Sequence, residues 1–389
     1  MKTTAFRKLL WVWTWMVLGF SFGGHASEGG LTTTDGFAVP QPGRRFVFPR
    51  DHGSHPEFSV EWWYITGHLF TTNQEQFGFQ ATFFRRSLAS EGGSAGSSNA
   101  LFGTDQIYLA HMALVNIGSG MFRHQERLNR SGWDANSSQI TLDVFNGNWS
   151  LRFAPANSNT ISRDLMELRY TLGGDISVRL DLTPKKSLVV FGTNGVSRKA
   201  AEPTASSHYL TFPRLSISGN LIQNGKAKAV SGEAWMDHEM SSSQLGAGQV
   251  GWDWLSLQLF DGREIMAYRM RRADGSTDPY STVAWVDTNG LVSHIGPDQF
   301  KWVAMEHWRS PKTSAEYPSK VQLEAVNPVS GRTEIFVIQP LVADQELTGK
   351  VGGVAYWEGA CSILDQTGKL IGRAYMELTG YNNSLKGKF

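Results

Sequence analysis

Apolar and polar positions along this chain alternate with a period of two, in short runs broken by Gly, Asn, Asp and Pro. That pattern predicts β-strands and tight turns rather than amphipathic helices. The densest run is Glu61-Trp62-Trp63-Tyr64-Ile65-Thr66-Gly67-His68-Leu69-Phe70. Read as a strand, it sends Glu61, Trp63, Ile65, Gly67 and Leu69 to one face and Trp62, Tyr64, Thr66, His68 and Phe70 to the other. Neither face is cleanly polar, so both are expected to be covered, by a lumen on one side and a neighbouring domain on the other. The run returns through Phe77-Gly78-Phe79-Gln80-Ala81-Thr82-Phe83-Phe84-Arg85-Arg86.

A variation of this hairpin recurs without a gap at an offset of 190 residues. Gly251-Trp252-Asp253-Trp254-Leu255-Ser256-Leu257-Gln258-Leu259-Phe260 leads through Asp261-Gly262, a tight-turn signal, into Ile265-Met266-Ala267-Tyr268-Arg269-Met270-Arg271-Arg272. Both hairpins end in paired arginines. Self-similarity at so large a period indicates duplicated domains rather than a solenoid. Further strands are expected at Ile107–Ile117, Ile140–Val144, Trp149–Phe153, Glu167–Leu172 and Ile176–Leu182. An up-and-down succession of this kind closes most naturally as a barrel, which removes the exposed sheet edges. The predicted organisation is a first antiparallel β-barrel over residues 27–190 and a second over 209–389. A Pro/Gly/Ser-containing linker falls within 184–208, and residues 87–105, rich in Ser, Gly and Ala, form a flexible mouth loop.

Composition narrows the function. The formal charge of +1, with no basic block, gives no electrostatic case for nucleic acid. A single cysteine, Cys361, excludes an intrachain disulfide framework. The 14 tryptophans do not fall on helical stripes, so they are expected to line sheets and a cavity. At the N-terminus Lys2, Arg7 and Lys8 precede an apolar run from Leu9 to Phe22, and Gly24-His25-Ala26 fits a small-x-small cleavage site. We read residues 1–26 as a signal peptide cut after Ala26, and the mature chain as periplasmic or secreted.

Candidate chemistry is concentrated in buried-looking acids. Val230–Met240 carries Glu233, Trp235 and Asp237 on one face and His238 on the other. Asp253 alternates with Leu255, Leu257 and Leu259, a setting that raises a carboxyl pKa and suits a general acid; pairing with the nearby arginines is the other reading. The closing hairpin places Trp357, Glu358 and Glu377 among aromatics. Asp51, His52, His55 and Glu57 match no zinc spacing and are read as loop groups bonding locally; His111, alone in an apolar strand, is read as a satisfied core residue. Asp237, His238 and the serines at 241–243 are too close in sequence for a catalytic triad.

Five motifs in order are Phe48-Pro49-Arg50-Asp51-His52, Glu61–Gly67, Trp235-Met236-Asp237-His238-Glu239, Trp252-Asp253-Trp254 and Tyr375-Met376-Glu377-Leu378-Thr379-Gly380-Tyr381. Together they resemble the AttH-like branch of the carotenoid 1,2-hydratase (hydroxyneurosporene synthase) family over nearly the whole mature chain. The resemblance implies two tandem lipocalin-like β-barrels packed together and a pocket for a long apolar molecule. It also implies cofactor-free addition of water to an alkene, in which an acid protonates the double bond and aromatics shield the cation. The neighbourhood comparable to the hydratase site offers Asp237, His238, Trp252, Asp253, Trp254 and Tyr268. This chain carries Asp253 where a histidine is expected within the Trp-rich motif, and Arg269-Met270 where an acid is expected after the tyrosine.

Two functions follow as expectations. One is an exported carrier of a hydrophobic, lipid- or isoprenoid-like molecule. The other is a hydro-lyase with Asp237 or Asp253 as proton donor, His238 as partner, and Trp235, Trp252, Trp254 and Tyr268 around the cation. Glu61, Trp62, Trp63, Tyr64, Trp357, Glu358 and Glu377 complete the expected ligand-binding set. No metal or other cofactor is expected, and a transient membrane or exporter contact is the one macromolecular partner left open. A surface-docking module remains a third class, marked by exposed rather than lumen-facing tryptophans.

Overall fold

The computed structural model describes residues 30–88, 106–155, 164–349, 351 and 353–385. The segment read as a signal peptide and nearly all of the 87–105 loop lie outside the described residues. Among the described residues, apart from one short 3-10 turn at Arg50–His52, the regular elements are β-strands, and every strand pairing is antiparallel. They form a thirteen-stranded sheet that curls into a nearly closed barrel and a ten-stranded second sheet.

Each sheet is built outward from its copy of the duplicated hairpin. In the first, Val60–Thr71 pairs with Gln76–Ser87, so that Trp63 lies opposite Phe83. On its other edge Val60–Thr71 pairs with Lys226–Ser243, bringing Tyr64 beside Asp237 and Trp63 beside His238. In the second, Gln249–Leu259 pairs with Glu264–Arg272 on one side and with Leu370–Leu378 on the other, so that Trp254 stands between Tyr268 and Glu377. The Asp261-Gly262 turn closes that hairpin with Gly262 at φ +88°, a left-handed conformation that glycine adopts without a Cβ penalty.

Strand alternation then sorts the side chains. Trp63, Ile65 and Leu69 enter the core of the first barrel, together with Trp149, Leu168 and Leu180. Leu255, Leu257 and Leu259 enter the core inside the second sheet, with Trp285, Tyr317 and Trp357. The opposite faces, carrying Trp62 and Tyr64 from one hairpin and Trp252 and Trp254 from the other, meet in a third apolar cluster between the sheets. The two-sided covering expected for the Trp-rich strand is therefore present.

Four of the expected strands match closely, at Gln106–Asn116, Trp149–Phe153, Met166–Leu172 and Ile176–Pro184; the one expected at Ile140–Val144 is displaced to Asp143–Asn146, because residues 139–142 form a bend. The boundary between halves differs. Ser206–Gln223 and Lys226–Ser243 belong to the first sheet, which ends at Ser243, and the second begins at Gln249 rather than near Tyr209. Both strands are 18 residues long, and their shared ladder shifts register at Ser206/Ser207 and between Phe212 and Leu215, so the chain bends without a break in the sheet. Nor is 184–208 a free linker: Val189–Phe191 and Ser197–Arg198 pair with Ser206–Gln223.

Buried charge clamps the sheets together. Lys186 Nζ lies 2.6 Å from Glu264 Oε2 and donates to the carbonyls of Gly262 and Asp287. Arg214 bridges Glu264 (2.7 Å) and Glu233 (3.0 Å). Gln258 donates to the Pro213 and Ala234 carbonyls at 2.8 and 2.9 Å. Elsewhere the contact is so close that only glycine fits: a Cβ on Gly78 would stand 2.5 Å from Ala360 Cβ of the second sheet and 2.9 Å from Val115 Cγ1. Gly78→Ala is expected to wedge the sheets apart and lower stability by roughly 1–3 kcal/mol. A denaturant midpoint unchanged from wild type would contradict the close approach.

Candidate functional site

Between the sheets lies a cavity of about 160 Å³. Its walls are the outward faces of the two hairpins, with Trp62, Tyr64 and Phe84 from one and Trp252, Trp254, Tyr268 and Met270 from the other. Tyr64 and Trp254, at equivalent positions of the repeat, meet edge to face with ring centroids 5.2 Å apart. Such pairs contribute about 0.5–1.5 kcal/mol beyond their buried area.

Each sheet sends one indole-bonded acid to this cavity. From the first, Asp237 accepts from Trp235 Nε1 (2.7 Å), Thr211 Oγ1 (2.6 Å) and Tyr209 Oη (2.7 Å). Tyr209 in turn accepts from Trp254 Nε1 at 2.9 Å. From the second, Glu377 accepts from Trp252 Nε1 at 3.0 Å. Burial pushes both carboxyls up to about 7, against the hydrogen bonds that favour ionisation. Glu358, directly opposite Glu377 on the neighbouring strand, is held well above the usual carboxylate range by burial and by the charge of Glu377, with Tyr64 opposing. At neutral pH the cavity therefore holds acids with protons to give.

Several of the other polar side chains are partnered. Lys199 pairs with Glu239 at 3.3 Å and sits over the rings of Tyr268 and Tyr209, at 4.1 and 4.8 Å. Glu239 also accepts a hydrogen bond from Ser207. Tyr356 Oη lies 2.7 Å from His111 Nδ1, and burial lowers His111 to about 4, leaving a neutral imidazole.

Of the residues singled out from the sequence, Trp62, Tyr64, Asp237, Trp252, Trp254, Tyr268, Glu358 and Glu377 line the cavity, and Trp235 stands behind Asp237. The others lie elsewhere. Asp253 faces away from the cavity, where Arg271 (2.9 Å), Arg269 (3.3 Å) and the Tyr381 hydroxyl (2.9 Å) surround it. Burial still raises its pKa, with both arginines opposing. Trp357 is in the core of the second sheet, its Nε1 donating to the Ala343 carbonyl.

Glu61, Trp63 and His238 gather at one end of the first barrel, and His238 stacks on Trp63 with centroids 4.8 Å apart. There Glu61 receives Arg85 (2.9 Å), the His55 amide, His55 Nδ1 and His238 Nε2 (each 2.8 Å), and His55 Nε2 reaches Asp51 at 2.8 Å. Burial opposes ionisation of Glu61, but Arg85 and the histidines hold it well below the usual range. His55, Glu61 and His238 are also the trio among the described residues whose geometry is compatible with a metal ion. Their facing atoms are already engaged with one another, and the cluster ties the Arg50–His52 turn to the barrel.

Lys199, Tyr209, Glu239, His111 and Tyr356 are cavity residues the sequence reading did not select. Glu239 continues the alternation Trp235, Asp237, and Tyr356 precedes Glu358 by two, so the period of two carried a signal for both. Nothing in the local sequence distinguishes Lys199, which arrives from the segment taken for a linker.

Two lipocalin-like barrels joined around an aromatic, acid-bearing cavity define the class of protein. The chain belongs to the AttH-like family, whose pattern matches residues 39–381. Among solved structures it is similar to an AttH protein of Nitrosomonas europaea, at 33% identity and a TM-score of 0.77, covering 89% of this chain and 100% of that one. It is also similar in fold to kievitone hydratase of Nectria haematococca, at 16% identity and a TM-score of 0.61, covering 91% of this chain and 97% of that one. No curated protein matches the sequence.

The raised acids make stability depend on pH. Glu377 keeps its proton in the folded state up to about 7, but loses it near 4.5 once unfolded. The stability this confers is complete below pH 4.5 and falls as pH rises toward 7, by about 1.4 kcal/mol per pH unit at most. Glu377→Gln removes that loss, so the variant should gain on wild type between pH 5 and pH 7 and hold a constant advantage above. Urea unfolding at several pH values checks this; parallel curves for the two proteins would contradict it.

Proposed function

We propose that this protein takes a small hydrophobic molecule into the cavity between its barrels and binds or processes it there. The observation that carries the reading is the cavity itself: a mainly apolar surface of aromatic rings from both hairpins, interrupted by a limited set of acids and their partners. Its volume is comparable to that of engineered cavities that accept a benzene ring. An occupant of ring size, or a short isoprenoid unit, suits it better than a full carotenoid. The hairpin tryptophans point inward or are half-buried, which favours this reading over a surface-docking module.

A second reading, hydration of a double bond, is favoured by the proton-bearing carboxyls. Kievitone hydratase shares the fold, and the acid such chemistry needs is available from Asp237, Glu377 or Glu358. A carboxyl would protonate the alkene, the neighbouring rings would stabilise the cation by about 2 kcal/mol each when well placed, water would add, and a proton would return to the carboxylate. Asp253, ion-paired on the far face of its strand, is a poorer donor than Asp237, and His238 is separated from Asp237 by the strand itself.

We place the mature protein outside the cytoplasm, on the strength of the basic and apolar N-terminal segment. N-terminal sequencing of protein from an exported fraction should begin at Ser27; retention of Met1 would contradict export by cleavage.

For the cavity, protein purified from its native compartment should carry an extractable apolar molecule visible by mass spectrometry, or bind the neutral fluorophore naphthalene. Trp254→Ala should weaken that binding about tenfold, corresponding to about 1.4 kcal/mol. Absence of both a co-purifying molecule and probe binding would overturn the reading.

A further inference from the structure

Glu358 is the least compensated polar group in the cavity. It is 1% exposed, and neither carboxyl oxygen has a hydrogen-bond partner among the described residues. The Tyr64 hydroxyl faces it and favours its ionised form, but from outside good hydrogen-bond geometry, and has no other partner among the described residues. Buried polar groups in folded proteins are almost always satisfied, because leaving one bare costs on the order of 1–3 kcal/mol. A carboxyl and a phenol that face each other across the same cavity without a well-formed hydrogen bond identify positions that a ligand can complete.

The surroundings restrict the ligand. Glu377 stands directly across the ladder from Glu358 on the same face, and directly opposed residues have Cβ atoms about 5 Å apart. Two buried acids at that spacing do not readily both ionise. Lys199 is the one lysine or arginine among the cavity-lining residues described, and its charge is matched by Glu239. A ligand carboxylate would thus meet two acids and no available cation. A hydroxyl or carbonyl group, by contrast, can accept from the Glu358 or Tyr64 O–H, and a hydroxyl can also donate to the carboxyl oxygen.

We infer that Glu358, with Glu377 and Tyr64, forms a polar anchor that selects uncharged ligands bearing a hydroxyl or carbonyl oxygen and rejects carboxylates. This rests on the reading of the cavity as a ligand site and specifies the chemistry of what enters it. Free fatty acids and other ionised acids are then poor occupants despite the apolar walls. The alcohols and aldehydes of the same skeleton are good ones.

The test is calorimetric titration of the full mature chain at pH 7.5 with four probes of one skeleton: cinnamyl alcohol, cinnamaldehyde, cinnamate and cinnamylammonium. The alcohol or the aldehyde should bind at least tenfold more tightly than cinnamate. Glu358→Gln, whose amide can donate to a carboxylate, should narrow the gap to less than threefold. Should that variant fail to fold, Glu377→Gln must narrow it likewise.

Cinnamate binding as tightly as the alcohol and aldehyde would overturn the inference while leaving the cavity a ligand site. So would cinnamylammonium binding most tightly, or a gap that both variants leave unchanged. If no probe binds, and the neutral fluorophore does not bind either, the ligand-site reading falls with it.

Discussion

The constraint on which this structure depends is the double burial of one strand type. A β-strand sends successive side chains to opposite faces, and a strand with aromatics on both faces must be covered twice. Here the first cover is the strand's own barrel and the second is its duplicate. Tyr64 of one hairpin and Trp254 of the other occupy equivalent places in the repeat and touch across the join. Packing two such faces together would ordinarily fill the space between them. The large rings instead stand apart far enough to leave a hollow, whose walls are therefore a consequence of the repeat.

The repeat extends to the acids. Asp237 stands beside Tyr64 on the neighbouring strand, as Glu377 stands beside Trp254. Each accepts an indole N–H, from Trp235 and Trp252 respectively. Two unrelated stretches of sequence thus deliver the same device, a buried carboxyl steadied by one tryptophan, to opposite walls of the cavity. Glu358 and Lys199 break the symmetry.

Much of this was legible in the sequence because it follows from periodicity. The alternating faces of Glu61–Phe70, the turn at Asp261-Gly262 and the strand at Trp149–Phe153 depend on neighbours two or four residues away. The boundary at Ser243 was not legible. Whether Ser206–Gln223 pairs forward or backward is decided by long-range pairing with Ile176–Pro184, which leaves no local mark. The same limit explains Lys199: its value lies in Glu239 and two tyrosine rings that are distant in sequence. Asp253 shows how far periodicity reaches: its leucine-rich face and the nearby arginines are both legible, but only the fold shows that this face is the barrel interior, where Arg269 and Arg271 meet it.

Buried charge in this protein therefore falls into two kinds, and the partners tell them apart. Glu61, Glu264 and Asp253 are each met by cationic groups, and each ties chain segments together. Removing one partner of such a cluster strands the other in the interior, so these groups belong to stability. Asp237 and Glu377 have only neutral donors, and Glu358 has only the poorly aligned Tyr64 hydroxyl. A fold gains nothing by burying an acid this way, since an apolar residue of similar size would cost less. Of the cavity acids among the described residues only Glu239 has a cation, Lys199, while Asp237, Glu358 and Glu377 have none and the arginine- or lysine-paired Glu61, Glu264 and Asp253 lie outside the cavity. That gathering of uncompensated acids where large rings leave a space is the strongest structural reason to regard the hollow as a chemical site and not as imperfect packing.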